Sequence, residues 1–424
     1  MPCRASSTIA GPNAAHCRER RICRLSMALT NKAFKKLIND NTRSGTSIEP
    51  RCPHADQCGG CAFQQIAYPD QVAAKQAALQ QLWHATGINL AIPVVASPDP
   101  YEYRTRMDYV ATKGRFGLRM SGRFNYIVEL ETCHLIPPAA FHAAHIIWQR
   151  AMEMGLPDYN IRSHEGFLRY IVVRRSPQNT LLLAPVTASR DHEPEMQQLA
   201  DLALSLPGVV GFHWLLNDTL TDLSFGTPIW HRGVTTLPMQ VGSHTLHIGP
   251  NSFFQNNVHL LLPLLDAVRD AVASQPDAAQ QHIADLYGGV GAIALHLAPH
   301  VAHVVGVESH PESSHLARYN IAQNNVSNAT SVLADVVNFL RLQRPGSFAT
   351  IVADPPRTGL GPEVCVELRR LAPRRIVYVS CNPLTQLEDI QQLERAYRLT
   401  SLVGYDMFPH TPHTEALAIL DRIA

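Results

Sequence analysis

The chain lacks any apolar run near the ~20 residues that a membrane-crossing helix needs. No membrane partner is therefore expected. It also lacks a surplus of either charge: 36 Lys and Arg stand against 35 Asp and Glu, a formal net charge of +1. That balance excludes a uniformly basic surface, so any anion-binding face has to be local. A disulfide framework is missing as well. The nine cysteines are an odd number in a long chain, and no secretory hydrophobic segment opens it. A reducing compartment, the cytoplasm, with metal-binding or catalytic cysteines is the expectation. There is no internal repeat and no low-complexity block. The hydrophobic fraction of 46% and charged fraction of 17% are those of a soluble globular protein. The length suits about two to four domains of roughly 100–200 residues.

Residues 1–26 stand apart, with Arg4, Arg18, Arg20, Arg21 and Arg24 against the single acid Glu19. The composition loosely fits an organelle transit peptide, but a disordered tail or an over-long start before Met27 is the preferred reading. Cys52, Cys58 and Cys61 then follow in a C-x5-C-x2-C loop, with Cys133 remote from them. The trio is a strong metal signal that spacing leaves open between zinc and iron–sulfur. Residues 69–84 read as a helix, with Pro69 in its first turn and Val72, Leu79 and Leu82 on one side. From 92 to 250 short β-type runs alternate with Gly, Asn, Asp and Pro, which predicts a mostly antiparallel β domain. From about 280 apolar strands alternate with amphipathic helices, the pattern of a doubly wound parallel sheet with ligands at its carboxyl strand ends.

The chemistry-bearing residues fall at those ends. The first strand runs into Asp285-Leu286-Tyr287-Gly288-Gly289-Val290-Gly291, where glycines let the backbone turn tightly and approach a ligand. This G-G-x-G spelling is not the dinucleotide G-x-G-x-x-G. Glu308, about twenty residues on at the end of the second strand, can accept hydrogen bonds from both ribose hydroxyls of a nucleoside cofactor. Asp335 ends the third strand, placed equally well to meet an adenine or to cap the next helix. Asp354 precedes two prolines that stiffen the fourth strand's exit, and Cys381 stands at the tip of the fifth before Asn382-Pro383. A lone strand cysteine is usually inert core, but beside Asp354 and a cofactor turn it is set to face ligand. Glu415 closes a polar, proline-broken run, 406–415, that feeds the last strand.

The segments around 354–359 and 376–385, and the run 406–415, resemble the two signature motifs of the RNA uracil-5-methyltransferase family. The segment 251–257 is similar to that family's Phe/Gln stretch, and the quartet Cys52, Cys58, Cys61 and Cys133 to the iron–sulfur ligands of its ribosomal-RNA branch. Residues 50–424 carry the resemblance, with Gly288, Ala292 and Thr414 departing from common family residues. The resemblance implies an α/β fold. Its Rossmann-like class I methyltransferase domain would span 251–424, preceded by a β-rich, RNA-binding central domain over 92–250. Residues 69–91 would pack a helix on the catalytic domain, 46–68 would hold a four-iron four-sulfur cluster, and 1–45 would be a disordered extension. It also implies Cys381 as the nucleophile that adds to uracil carbon 6 and Glu415 as the base. Gln255, Tyr287, Glu308, Asp335 and Asp354 would line the S-adenosylmethionine pocket, with Gln255 and Asp354 also holding the uracil edge. Phe253 or Phe254 would wall a flipped base, unless either is core. RNA is the implied partner, with 23S ribosomal RNA favoured and a tRNA uridine the alternative. No obligate protein partner is evident.

Arg104, Arg106, Lys113, Arg115, Arg119 and Arg123 lie among Tyr101, Tyr103, Tyr109, Phe116 and Phe124. Cations with aromatics suit RNA phosphates and unpaired bases, and Arg162, Arg169, Arg174 and Arg175 could extend the surface. A solvated charged face is the plain alternative. Two rivals differ in chemistry. An amino-group methyltransferase of the same architecture needs no thiol, and a non-catalytic RNA-binding or iron–sulfur sensor protein needs neither Cys381 nor Glu415.

Overall fold

The structure is a computed structural model that describes residues 31–423. The arginine-rich stretch 1–26, with Cys3, Cys17 and Cys23, lies outside the described residues. Residues 31–42, expected to belong to a disordered extension, instead form helix α1 (Asn31–Thr42). Its Phe34 and Ile38 are buried one turn apart in the same core as Trp83 and Leu393. Burial of two such side chains contributes about 1.5–3 kcal/mol each, enough to order a helix whose other residues are mostly Lys and Asn. Helix α2 (Tyr68–His84) carries Pro69 in its first turn and buries Ala74, Ala78, Leu79, Leu82 and Trp83. Gln71 and Lys75 share that inward face.

A short strand, β1 (Val94–Val95), joins the edge of the larger sheet described below. The smaller sheet follows: β2 (Arg106–Thr112), β3 (Arg115–Met120), β4 (Arg123–Glu129), β5 (Leu168–Arg175), β6 (Leu181–Thr187), β7 (Val209–Leu216) and β8 (Thr227–Gly233). Its order is β4-β3-β2-β5-β6-β7-β8. Neighbours are antiparallel except β6 and β7, which run parallel. Two helices that the β-type texture had no place for pack here, α3 (Pro138–Glu153) and α4 (Glu193–Ser205). Helix α4 is the crossover that a parallel β6–β7 pair demands. Between sheet and helices lies an aromatic core in which Phe116 stacks on Trp148 and Tyr109 meets Phe141 edge-on. This corrects the RNA-facing stripe: Tyr103, Tyr109 and Phe116 are core, and Arg169, Arg174 and Arg175 are buried too.

A ribbon of β9 (Leu237–Val241) and β10 (His244–Ile248) ends the stretch. Then α5 (Leu261–Ala273) leads into the larger unit: β11 (His282–Leu286), α6 (Ala292–Leu297), β12 (His303–Glu308), α7 (Pro311–Gln323), β13 (Ala329–Leu333), α8 (Val336–Arg341), β14 (Thr350–Ala353), α9 (Gly361–Leu371), β15 (Arg375–Ser380), α10 (Pro383–Leu393), β16 (Tyr397–Tyr405) and β17 (Glu415–Arg422). The ribbon is bonded to α7, since the backbone amides of Thr245 and His247 donate to the side chains of Asn324 and Asn320. It therefore belongs physically with the larger unit, although it precedes the expected boundary at 250.

The eight-stranded sheet has the order β1-β16-β17-β15-β14-β11-β12-β13. Strands β11 to β15 run parallel to one another, and β17 is antiparallel between β15 and β16. Both faces are covered. Ile283, Val352 and Val377 enter one core, whereas Ala284, Ile351 and Ile376 enter the other. Burial on both faces explains the continuous apolar runs of these strands. The chain leaves β11 toward β12 on one side and returns to β14 on the other. A crevice opens at the carboxyl ends of β11 and β14, where such a reversal places ligands.

Candidate active site

The glycine turn after β11 is built on positive φ. Tyr287 adopts φ 62°, and Gly291, which starts α6, adopts φ 88°. For a tyrosine this left-handed backbone costs of order 1–3 kcal/mol, strain typical of a functional turn. Glu308 at the tip of β12 fixes the turn: its carboxylate accepts from Gly289 N at 3.0 Å and from His310 N at 2.6 Å. A recess of about 200 Å³ beside it is lined by Gly288, Gly289, Gly291 and Glu308. The larger cavity, about 550 Å³, is lined by Phe253, Phe254, Gln255, Tyr287, Gly288, Asp354 and Val379, among others. Gln255 Nε2 donates to Asp354 Oδ2 at 3.1 Å, which joins the Phe/Gln segment to the tip of β14. Phe254 is core at 7% exposure, whereas Phe253 stands 67% exposed at the cavity. Asp335 caps α8 by accepting from Asn338 N at 3.0 Å, and it does not line the larger cavity. Its carboxylate still faces the Tyr287 phenol, which burial pushes up to about 12 with Asp335 adding to the rise.

At the neighbouring strand tips, Cys381, Glu415, Asp354 and the guanidinium of Arg357 interact with one another. Burial pushes the Cys381 thiol up to about 12, Glu415 and Asp354 push it the same way, and Arg357 opposes them. Glu415 is buried at the start of β17, and its Oε1 has no hydrogen-bond partner. Burial holds its carboxyl well above the usual range, Asp354 adds to the rise, and Arg357 opposes it. Asp354 itself is raised to about 7 by burial, with the Gln255 amide pulling it down. A further acid, Asp285, opens the glycine motif, where sequence reading gives it no role. It is fully buried within β11, where the Ala294 backbone amide is the one group that favours its ionised form. Burial raises it to about 8, with Asp354 and Glu308 adding their repulsion. An acid inside the apolar run His282–Leu286 was the signal. Arg357 was also missed, although it is the cation following the two prolines after Asp354. Three acids held toward their neutral form around one guanidinium would ionise more readily beside a cation such as a sulfonium.

The loop that delivers Glu415 is held from outside the large sheet. Lys75 Nζ, fully buried on α2, donates to Asp406 Oδ1 at 2.5 Å and to the Phe408 carbonyl at 3.0 Å. Gln71 accepts from His410 N and donates to the Phe63 and Ile66 carbonyls. The Ala62 amide, next to Cys61, donates to the His410 carbonyl. The loop that delivers Glu415, α2 and the cysteine segment are therefore one hydrogen-bonded unit.

Cys52, Cys58, Cys61 and Cys133 line a single cavity of about 290 Å³. The Gly60 amide donates to Cys58 Sγ and the Gln64 amide to Cys61 Sγ. Burial pushes Cys58 up to about 11 and Cys61 up to about 12, and neighbouring thiols add to both. The topology brings the expected quartet together. Even so, no group of three or more His, Cys, Asp or Glu side chains among the described residues is arranged to hold a metal ion. Cys365 is core. No helix among the described residues is long and apolar enough to cross a membrane.

Comparison with known proteins agrees with this geometry. The profile of the tRNA (Uracil-5-)-methyltransferase family matches residues 234–423. The tRNA (uracil(54)-C(5))-methyltransferase of Pyrococcus horikoshii is 31% identical over 375 residues, which cover 88% of this chain and 86% of that protein. An uncharacterised RNA methyltransferase of Nitratidesulfovibrio vulgaris is 30% identical, covering 90% and 84%. The crystal structure of the Pyrococcus abyssi tRNA (uracil-54, C5)-methyltransferase, in complex with S-adenosyl-L-homocysteine, superposes with a TM-score of 0.72 at 30% identity and covers 86% of each chain. The chain thus belongs to the RNA uracil-5-methyltransferase family, the enzymes that use S-adenosylmethionine to methylate carbon 5 of uridine in RNA.

Proposed function

We propose that this chain methylates one uridine of a tRNA through a covalent adduct between Cys381 and uracil carbon 6, with Glu415 as the base. The observation that carries the reading is the meeting of Cys381, Glu415, Asp354 and Arg357 beside the β11–β14 crevice. When bound, S-adenosylmethionine supplies an electrophilic methyl group on a cationic sulfur. Gln255, Tyr287, Glu308, Asp335 and Asp354 would hold it, and the partnerless Glu415 Oε1 beside the crevice favours a cationic ligand there.

Carbon 5 of uracil is a weak nucleophile. Addition of the Cys381 thiolate at carbon 6 moves an electron pair into the ring as an enolate, which makes carbon 5 reactive. Arg357 faces the thiol and favours its ionised form. Gln255 and Asp354 hold the uracil edge and polarise its carbonyl. Once carbon 5 carries the methyl group, Glu415 takes the carbon 5 proton and the C6–S bond breaks, returning the thiolate. A uracil in a stem cannot reach this site, so it must leave its stack. Phe253, exposed at the cavity, is placed to receive it.

The named relatives from Pyrococcus support tRNA as the substrate. The cysteine quartet supports a second reading, 23S ribosomal RNA, because the ribosomal-RNA branch of the family is the one its spacing resembles. In either case the four thiols around one cavity would bind a four-iron four-sulfur cluster. Its role is to tie the 52–61 loop to the Cys133 segment, since uracil methylation transfers no electrons. The proposed setting is the cytoplasm. Nucleoside mass spectrometry after incubating the purified protein with unmodified tRNA or 23S transcripts separates these readings. The expected result is 5-methyluridine in tRNA. 5-Methyluridine in 23S RNA alone transfers the assignment, and a methylated exocyclic amine with no 5-methyluridine refutes the chemistry.

A further inference from the structure

A second cavity, about 470 Å³, lies on the smaller sheet away from the strand tips of the larger one. Its wall includes Val110 and Thr112 of β2, five and seven residues along from Thr105. Thr105 Oγ1 donates to the Gln255 carbonyl at 3.1 Å, so the near end of β2 is fixed to the active-site segment. At the usual strand rise the cavity wall stands about 17–24 Å further along.

The lining is built for an anionic, aromatic ligand. Lys113 and Arg162 contribute two open cations, with Arg119 paired to Asp222 and Arg169 buried behind them. The acid Asp222 is already engaged, by Arg119 and by the Tyr170 hydroxyl. Lys113 and Arg162 are exposed and make no ion pair among the described residues. Arg169 is 2% exposed, lies 4.3 Å over the Tyr159 ring, and holds the rim by donating to the Asn217, Thr219 and Thr221 carbonyls. Its Nε is buried without a partner. Next in sequence to the lining residue Asn125, the Phe124 ring is 59% exposed and has the Arg119 guanidinium 4.0 Å from its centre. Cations that grip phosphate beside flat rings that stack bases are the pairing by which proteins hold unpaired RNA.

We propose that this cavity binds a nucleotide of the substrate RNA outside the stem-loop that carries the target uridine, and so anchors the RNA body while the target enters the crevice. The choice of ligand rests on the uridine-methylation reading. The geometry of the cavity does not.

The test is equilibrium binding by fluorescence anisotropy of the full chain to two RNAs. One is an unmodified full-length tRNA transcript, and the other is the isolated stem-loop around its methylated uridine. The paired variant Lys113→Glu/Arg162→Glu changes two exposed side chains. It should bind the transcript about tenfold more weakly and flatten the slope of log affinity against log salt by about 0.7 for each phosphate no longer neutralised. Stem-loop affinity should not change. Equal weakening for both RNAs overturns the proposal, because the cations would then act only as a general field. Unchanged transcript affinity also overturns it, whether the cavity then takes uridine monophosphate or a protein. Because binding is read rather than turnover, a chain that binds RNA as described but never methylates it fails the enzymatic reading alone.

Discussion

The buried acids at the strand tips carry a charge problem that protonation or a cationic ligand relieves. Asp285, Asp354 and Glu415 are all raised above their ordinary carboxyl values, to about 8 and about 7 for the two aspartates, chiefly by burial and partly by one another. The sign of the stability effect follows. Carboxyls whose folded pKa is raised cost nothing below the unfolded value near 4, where both states are protonated. They destabilise the fold progressively as pH rises from about 4 to about 8. The ligand-free chain should therefore melt at a lower temperature at pH 8 than at pH 5. Asp285→Asn should narrow that gap by at least about 2–4 °C, the shift that about 1 kcal/mol produces in a domain of this size. Calorimetry at the two pH values checks it, and an unchanged gap would show that Asp285 does not titrate in this range. The raised Cys381 thiol belongs to the same balance, since two acids oppose its ionisation and Arg357 favours it. Strand-tip position made Glu308, Asp354 and Cys381 legible in the sequence. Asp285 and Arg357 acquire meaning only from neighbours that the folded sheet supplies. Asp335 shows the converse, since its spacing fitted a ligand and a helix cap equally, and the structure shows the cap while its carboxylate still faces Tyr287.

Among the elements, α2 has the least expected consequence. Its sequence announces a helix through Pro69 and the apolar positions. The same inward face also carries Gln71 and Lys75, which polarity alone would have placed in water. They are buried because the loop 406–414 brings Asp406 and the His410 backbone to meet them. Lys75→Met should leave Asp406 charged and unpaired in the interior, at a cost of about 3–5 kcal/mol. The double variant Lys75→Met/Asp406→Leu should recover most of that loss. Urea unfolding of the two variants measures it, and a single variant within about 1 kcal/mol of the parent would show that the pair holds nothing. The helices α3 and α4 were illegible for a related reason. Their alanine-rich apolar faces sit among β-type runs, and only the sheet beneath gives their periodicity a partner. The strand–helix alternation from β11 to β15 was readable throughout, because strands covered on both faces are apolar at nearly every position.

At the scale of the whole molecule, two sheets meet at the segment that carries Gln255, and the chemistry sits on one side of that junction. The larger sheet supplies the crevice and the strand tips that carry Cys381, Asp354 and Glu415. Helix α2 and the cysteine segment hold the loop that delivers Glu415. The overall α/β architecture and the family were open to sequence because the motifs lie at consecutive strand tips. The contact between the N-terminal segment and the loop was not, because it joins residues more than three hundred positions apart. The most direct measurement is denaturing electrophoresis of the protein after incubation with S-adenosylmethionine and a tRNA transcript containing 5-fluorouridine. Fluorine at carbon 5 cannot be removed as a proton is, so the ring should stay bonded to sulfur. The account predicts a stable protein–RNA adduct in the parent chain that Cys381→Ala abolishes along with methylation of the ordinary transcript. Undiminished 5-methyluridine formation by Cys381→Ala would contradict it.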